Sequence, residues 1–159
     1  MRQEIKNDQG GVLLQIEYWE EEQILYSNWM GTYLTEEGMQ SLDRYTTTVV
    51  ETNIVGFEDV KRGALLLLDN IKVYEAKLLL NDNRQVQGVW DEINDWIASE
   101  WMPQIVQAGL QKFAHILSEE FFAQLSAEMM EDDSTTPEGA FEMKLFNDYI
   151  LAKGWLLEG

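Results

Sequence analysis

The sequence predicts an α/β fold, a mixed β-sheet of about five strands with helices packed against it. Three observations predict it. Apolar runs of strand length recur along the chain, some alternating and some continuous. From residue 56 onward they take turns with segments whose apolar residues return at helical spacing, the pattern of a layered α/β domain. With 159 residues, 45% of them hydrophobic, the chain suits a single domain, 1–159, with a sizeable core.

In "GVLLQIEYW" (11–19) Val12, Leu14 and Ile16 alternate with Leu13, Gln15 and Glu17, as in a half-buried strand. "ILYSNWMG" (24–31) follows a short acidic connection, which predicts an antiparallel hairpin. In 32–55, Thr35 followed by Glu36 and Glu37 reads as a helix start, with Met39 and Leu42 on one face. The β-branched run at 46–50 argues against continuing that helix, and an irregular or extended piece is expected there.

Phe57, Val60, Ala64, Leu67, Leu68 and Ile71 lie at helical spacing and predict an amphipathic helix over 56–72. "AKLLLND" (76–82) is a continuous apolar run, the mark of a central strand covered on both faces. Trp90, Ile93, Ile97 and Trp101 share one narrow helix face. Pro103, lacking a backbone donor, should kink that helix or open a second one. "KFAHILS" (112–118) reads as a strand, and Ser118 as the cap of a helix burying Phe122, Leu125 and Met129. An acidic loop at 131–140 leads to a last strand at 141–147. The closing helix at 148–158 carries Leu151 and Trp155 on one side.

Charge excludes some partners. Eleven Lys and Arg against 29 Asp and Glu leave −18, which repels phosphate backbones and anionic headgroups, so neither nucleic acid nor an electrostatic membrane contact is expected. The absence of cysteine removes disulfides, thiolate nucleophiles and zinc-thiolate sites. "MRQEIKNDQGG" has no apolar segment of a signal peptide, and the longest apolar run is "ALLLL" (64–68). No membrane span and a cytoplasmic location are expected.

The chemistry-bearing residues are few. His115 is the single histidine, so a multi-histidine metal site cannot form, and the role of a satisfied core or sheet-face histidine is expected for it. There is no Gly-x-Ser-x-Gly elbow, dinucleotide fingerprint or phosphate-binding P-loop. "NDN" at 81–83 resembles half of a calcium loop, but Gln85 and Val86 break the oxygen spacing. Asp91 and Asp95 lie one turn apart at a helix start, where acids oppose the dipole. Trp90, Trp101 and Trp155 are assigned to the core, and Trp96, at the edge of the stripe, to partial exposure. No cofactor, metal or catalytic residue is expected.

The stretch from Gly56 to Glu128 resembles the SpoIIAA-like proteins of the STAS superfamily, in particular a bacterial branch of them. Carrying the likeness are "GFEDVKRGALLLLDNIK", the Leu-Asn-Asp-Asn strand end with Trp90, the Trp101-Met102-Pro103 break and the Phe113-Ala114-His115 strand. A weaker extension takes in the hairpin and the last strand and helix, and residues 32–55 look inserted. The resemblance implies no enzymatic activity. Regulatory STAS domains are switched by phosphorylation of a serine in the turn after the central strand. The matching stretch, 81–93, has no Ser, Thr or Tyr, so that switch is not carried over. What is expected is a non-catalytic module binding a protein partner or itself, with Asn81, Asp82, Asn83, Asp91 and Trp96 as contact candidates. The alternative is a carrier of a small apolar or lipid-like ligand, as in CRAL-TRIO domains of the same broad fold.

Overall fold

The computed structural model describes residues 2–8, 10–33, 54–87, 91–119, 122–123 and 141–158. Strands β1 (Arg2–Lys6), β2 (Val12–Trp19) and β3 (Ile24–Tyr33) come first, then the two-residue β4 (Ile54–Val55) and helix α1 (Phe57–Tyr74). Strand β5 (Leu78–Gln87) precedes a broken helix: α2 (Asp91–Trp96), a π-helical turn (Ile97–Trp101) and α3 (Met102–Gln107). Strands β6 (Lys112–Ile116) and β7 (Glu142–Phe146) and helix α4 (Tyr149–Leu157) complete the order.

The described strands form one mixed sheet of seven, ordered β1-β2-β3-β5-β6-β7 with β4 on β3. β1, β2 and β3 run antiparallel, whereas β3, β5, β6 and β7 are parallel neighbours. β5 holds one edge of β3 as far as Thr32↔Gln87, so β4, paired at Thr32↔Ile54, takes the edge beyond the end of β2.

Side-chain alternation divides the core into two layers. On the first face Ile5, Leu14, Ile16, Leu25, Leu79 and Phe113 meet Val60, Ala64, Leu67 and Ile71 of α1, with Ile93, Trp101 and Ile105 of the broken helix. On the second face Ile24, Leu80, Ala114, Ile116 and Phe146 meet Ala152 and Leu156 of α4. Leu79 and Leu80 point to opposite faces and both are fully buried, as a central strand requires.

The helix boundaries have local causes. Gly56 precedes α1, and its N–H donates to the Asp59 carboxylate at 2.9 Å. The helix ends on Glu75 in the left-handed region, φ 51°. Pro103 sits in the first turn of α3, where its missing N–H costs least. Immediately before it the backbone widens into the π turn, Met102 N–H donating to Ile97 O, which accommodates the proline without ending the helical run.

Several expectations need correction. Among the described residues the sheet has seven strands and not about five, β1 and β4 joining the five expected. Residues 81–87 are not a turn after the central strand; they are its second half, held by pairing with β3 at Gln85, Val86 and Gln87. The segment 32–55 is anchored in the sheet at both ends, with Tyr33 and Val55 buried; the helix expected near Thr35 lies outside the described residues. In α4 the buried side chains are Ala152 and Leu156, while Leu151 is 64% exposed. The helix after Ser118 begins, with Phe122 N–H donating to Ser118 O, but most of it and the acidic loop lie outside the described residues.

Candidate functional site

Alternation along β5 sends the contact candidates to opposite sides of the sheet. Asn81 and Asn83 face the α1 layer and Asp82 faces the α4 layer, so they form two sites and not one.

On the α1 side Asn81 is buried beneath β3 and β6, its register partners being Ser27 and His115. Its Oδ1 accepts from Ser27 Oγ and, at 2.8 Å, from Trp29 Nε1. Its Nδ2 faces Asn83 Oδ1 at 3.2 Å and His115 Nδ1 at 3.1 Å. His115 Nε2 stands 3.5 Å from Asn83 Nδ2, and its ring stacks on Phe113 at 5.6 Å. Burial pushes the His115 pKa down to about 4, against a small opposing pull from Asp82; the imidazole is neutral at physiological pH. His115 lies on the sheet face, as expected, but with an amide nitrogen facing each of its ring nitrogens.

On the α4 side Asp82 is almost fully buried and accepts from Tyr26 OH at 3.1 Å. Arg84, two residues along the strand, clamps the same carboxylate with Nε at 3.0 Å and Nη2 at 2.8 Å, and its backbone N–H adds a bond at 3.1 Å. Burial by itself would raise the Asp82 pKa, but Arg84's hydrogen bonds and charge outweigh it and bring the carboxyl below its ordinary value. Tyr26 moves the other way: burial first, then the neighbouring carboxylate, drive its phenol well above its usual value.

Around that pair lies an aromatic step. Trp19 stacks on Tyr26 at 4.9 Å, and Tyr149 meets both edge-on. Lys153 places its ammonium 5.2 Å from the Trp19 ring and 3.5 Å from Glu22. Two open depressions flank Tyr149. One, about 440 Å³, is lined by Trp19, Glu20, Glu21, Glu22 and Lys153; the other, about 410 Å³, by Arg84, Asn147, Asp148 and Ile150.

Trp96 is half-buried against the α1 layer, with the Lys61 ammonium 5.7 Å from its ring, in keeping with the partial exposure expected. The side chain of Asp91 lies outside the described residues, as does Trp90. Trp101 is buried, its Nε1 donating to Ala64 O at 2.6 Å, whereas Trp155 is only half-buried and belongs to the other layer.

Sequence reasoning missed Ser27, Trp29, Tyr26 and Arg84. Register joins Ser27, Trp29 and Tyr26 to β5 across more than fifty residues, Arg84 stands on β5 itself two residues from Asp82, and no local motif marks any of them. Among the described residues no group of three or more His, Asp or Glu stands close enough to hold a metal ion, and no helix is long and apolar enough to cross a membrane. The arrangement can donate and accept hydrogen bonds on both faces of β5. Compared with protein-family models, curated proteins and solved structures, the chain matches none of them.

Proposed function

We propose that this chain is a non-catalytic, STAS-like interaction module that pairs with a second copy of itself through the outer face of α4. The observation that carries the reading is the exposure of apolar side chains there: Ile150 is 77% exposed, Leu151 64% and Leu157 49%. On a helix, positions 150, 154 and 157 form one seam, with Leu151 beside it. Gly154 lies in the middle of that seam, and a Cβ there would touch nothing. A patch of this kind needs a covering surface. Two-fold pairing would supply the same seam from the partner and set its larger side chains opposite Gly154.

Charge permits pairing along this helix. In a chain of net charge −18, Tyr149–Leu157 has no acidic residue and one Lys, its acids Asp148 and Glu158 standing at the two ends. The resemblance to STAS modules, and a stretch 81–93 without Ser, Thr or Tyr, support association without a phosphorylated hydroxyl. A carrier of a small apolar ligand would need an enclosed apolar pocket; the two depressions beside Tyr149 are open and edged by charged side chains.

Sedimentation velocity across a concentration series, paired with native mass spectrometry, tests the reading. A concentration-dependent dimer that Ile150→Asp dissociates is expected. A monomer at every concentration would overturn the pairing, and a small apolar molecule retained on the monomer would favour the carrier.

A further inference from the structure

We infer that His115 Nε2–H and the Asn83 side-chain amide together form a binding site for a neutral carbonyl oxygen, such as that of a peptide amide. The argument is an inventory of donors and acceptors, and it begins at Trp29. An indole N–H can only donate, and Trp29 Nε1 lies 2.8 Å from Asn81 Oδ1. The Asn81 amide therefore cannot be turned over, since its NH2 would then face a donor. Its Nδ2 consequently donates to both remaining neighbours, Asn83 Oδ1 and His115 Nδ1. A neutral imidazole accepts at one nitrogen and carries its proton on the other. With Nδ1 accepting, that proton is on Nε2.

Nε2–H then meets the wrong group. Its polar neighbour is Asn83 Nδ2, 3.5 Å away and also a donor. Turning the Asn83 amide over would give Nε2–H an acceptor but would set the Asn83 NH2 against Asn81 Nδ2, 3.2 Å away. Either way one donor faces another. The cluster of Ser27, Trp29, Asn81, Asn83 and His115 is one acceptor short, whichever rotamer Asn83 adopts. Two donors turned on one another in a half-buried cluster are unfavourable, so an acceptor held between them is favoured.

Access and charge narrow the occupant. Neither His115 nor Asn83 is fully buried, so the point between them is not sealed. The charged group that acts on His115 is the Asp82 carboxylate, which disfavours a second anion nearby. The cation of the region, Arg84, is already spent on Asp82 on the other side of the sheet. A neutral carbonyl accepts from both N–H groups without meeting that repulsion.

Since His115 is the single histidine, its ring nitrogens can be read without ambiguity in a long-range ¹H–¹⁵N correlation spectrum. The free protein should give the Nε2–H pattern at pH 7. Adding N-methylacetamide should shift the His115 Nε2 and Asn83 side-chain signals along a saturating curve, and acetate at equal concentration should shift them less. Asn83→Ala should weaken the amide about fivefold, the scale of one ordinary hydrogen bond. An Nδ1–H pattern in the wild type would overturn the inference without any variant. So would a linear, non-saturating response to the amide, or an equal response to acetate.

Discussion

Gly63 of α1 lies so close to the Trp29 indole that a Cβ at position 63 would stand 2.5 Å from Trp29 Cη2 and 2.9 Å from Cζ3. A glycine inside a helix costs about 1 kcal/mol relative to alanine, so helix propensity alone would favour replacing it. The indole cannot easily retreat, because its Nε1 is tied to Asn81. We expect Gly63→Ala to destabilise the domain by about 1–3 kcal/mol, the usual range for overpacking. In a Trp29→Leu background the same change should become neutral or stabilising. Urea unfolding of the four proteins checks this, and a stabilised single Gly63→Ala variant would contradict the packing.

The Asp82–Arg84 clamp should leave a signature in acid. A carboxyl held below its ordinary value stabilises the fold above the unfolded pKa, 3.8, and that stabilisation is lost as pH falls through the folded value. Arg84→Ala should cost about 1–3 kcal/mol at pH 7 by leaving a buried carboxylate short of donors. Arg84's half exposure places the loss toward the lower figure. The gap between variant and wild type should be narrower at pH 3, below the unfolded pKa of 3.8, than at pH 7. Stability curves at the two pH values decide it; a gap of constant size would count against the clamp.

His115 acts in a different window. Its folded pKa of about 4 lies below the ordinary 6.5, so between these values the unfolded chain binds the extra proton. Stability should be full above pH 6.5, decline as pH falls toward 4 and level off below. A difference of this size corresponds to at most about 3 kcal/mol. His115→Gln, whose side-chain oxygen can still accept from Asn81, should abolish the decline between pH 6.5 and 4.5. Denaturant midpoints at those two values are the measurement, and an identical slope in both proteins would refute the assignment.

Within α4, neighbouring positions should respond oppositely to the same substitution. Ala152 is fully buried and Ile150 is 77% exposed. Ala152→Asp should unfold or severely destabilise the domain, since an unpaired buried carboxylate costs several kcal/mol. At protein concentrations too low for pairing, Ile150→Asp should change stability by no more than about 0.5 kcal/mol. Circular dichroism melts of the two variants are sufficient, and similar losses in both would mean that the helix is turned differently.

How far these features can be read from the sequence depends on what each strand buries. β2, β3 and α1 declare themselves because their apolar residues repeat with the period of the element. β1, "RQEIK", has one buried side chain in five, Ile5, so an edge strand held by backbone pairing leaves no apolar trace. The second half of β5, "NDNRQVQ", buries only Val86 among its last five residues and looks like a loop for the same reason. α4 fails in the opposite sense. It is apolar nearly all round, so periodicity cannot tell Leu151 from Ala152. The candidate site was legible as residue types at Asn81, Asp82 and Asn83, but not as two opposed clusters, since Ser27, Trp29 and His115 reach Asn81 only through strand order.

That strand order also governs how quickly the fold can form. β2 and β3 meet across a four-residue turn, Trp19 pairing with Ile24, and such a hairpin closes in about 1–10 μs. The next pairing, β3 with β5, joins residues 54 apart, as at Ser27 and Asn81. Loop-closure entropy must be met before those contacts return anything, so the parallel half waits on a long-range search that the antiparallel half is spared. The polar row across β3, β5 and β6 sits at that junction. Its hydrogen bonds, of little account to a hairpin forming alone, become available only when the slow half of the sheet has found its register.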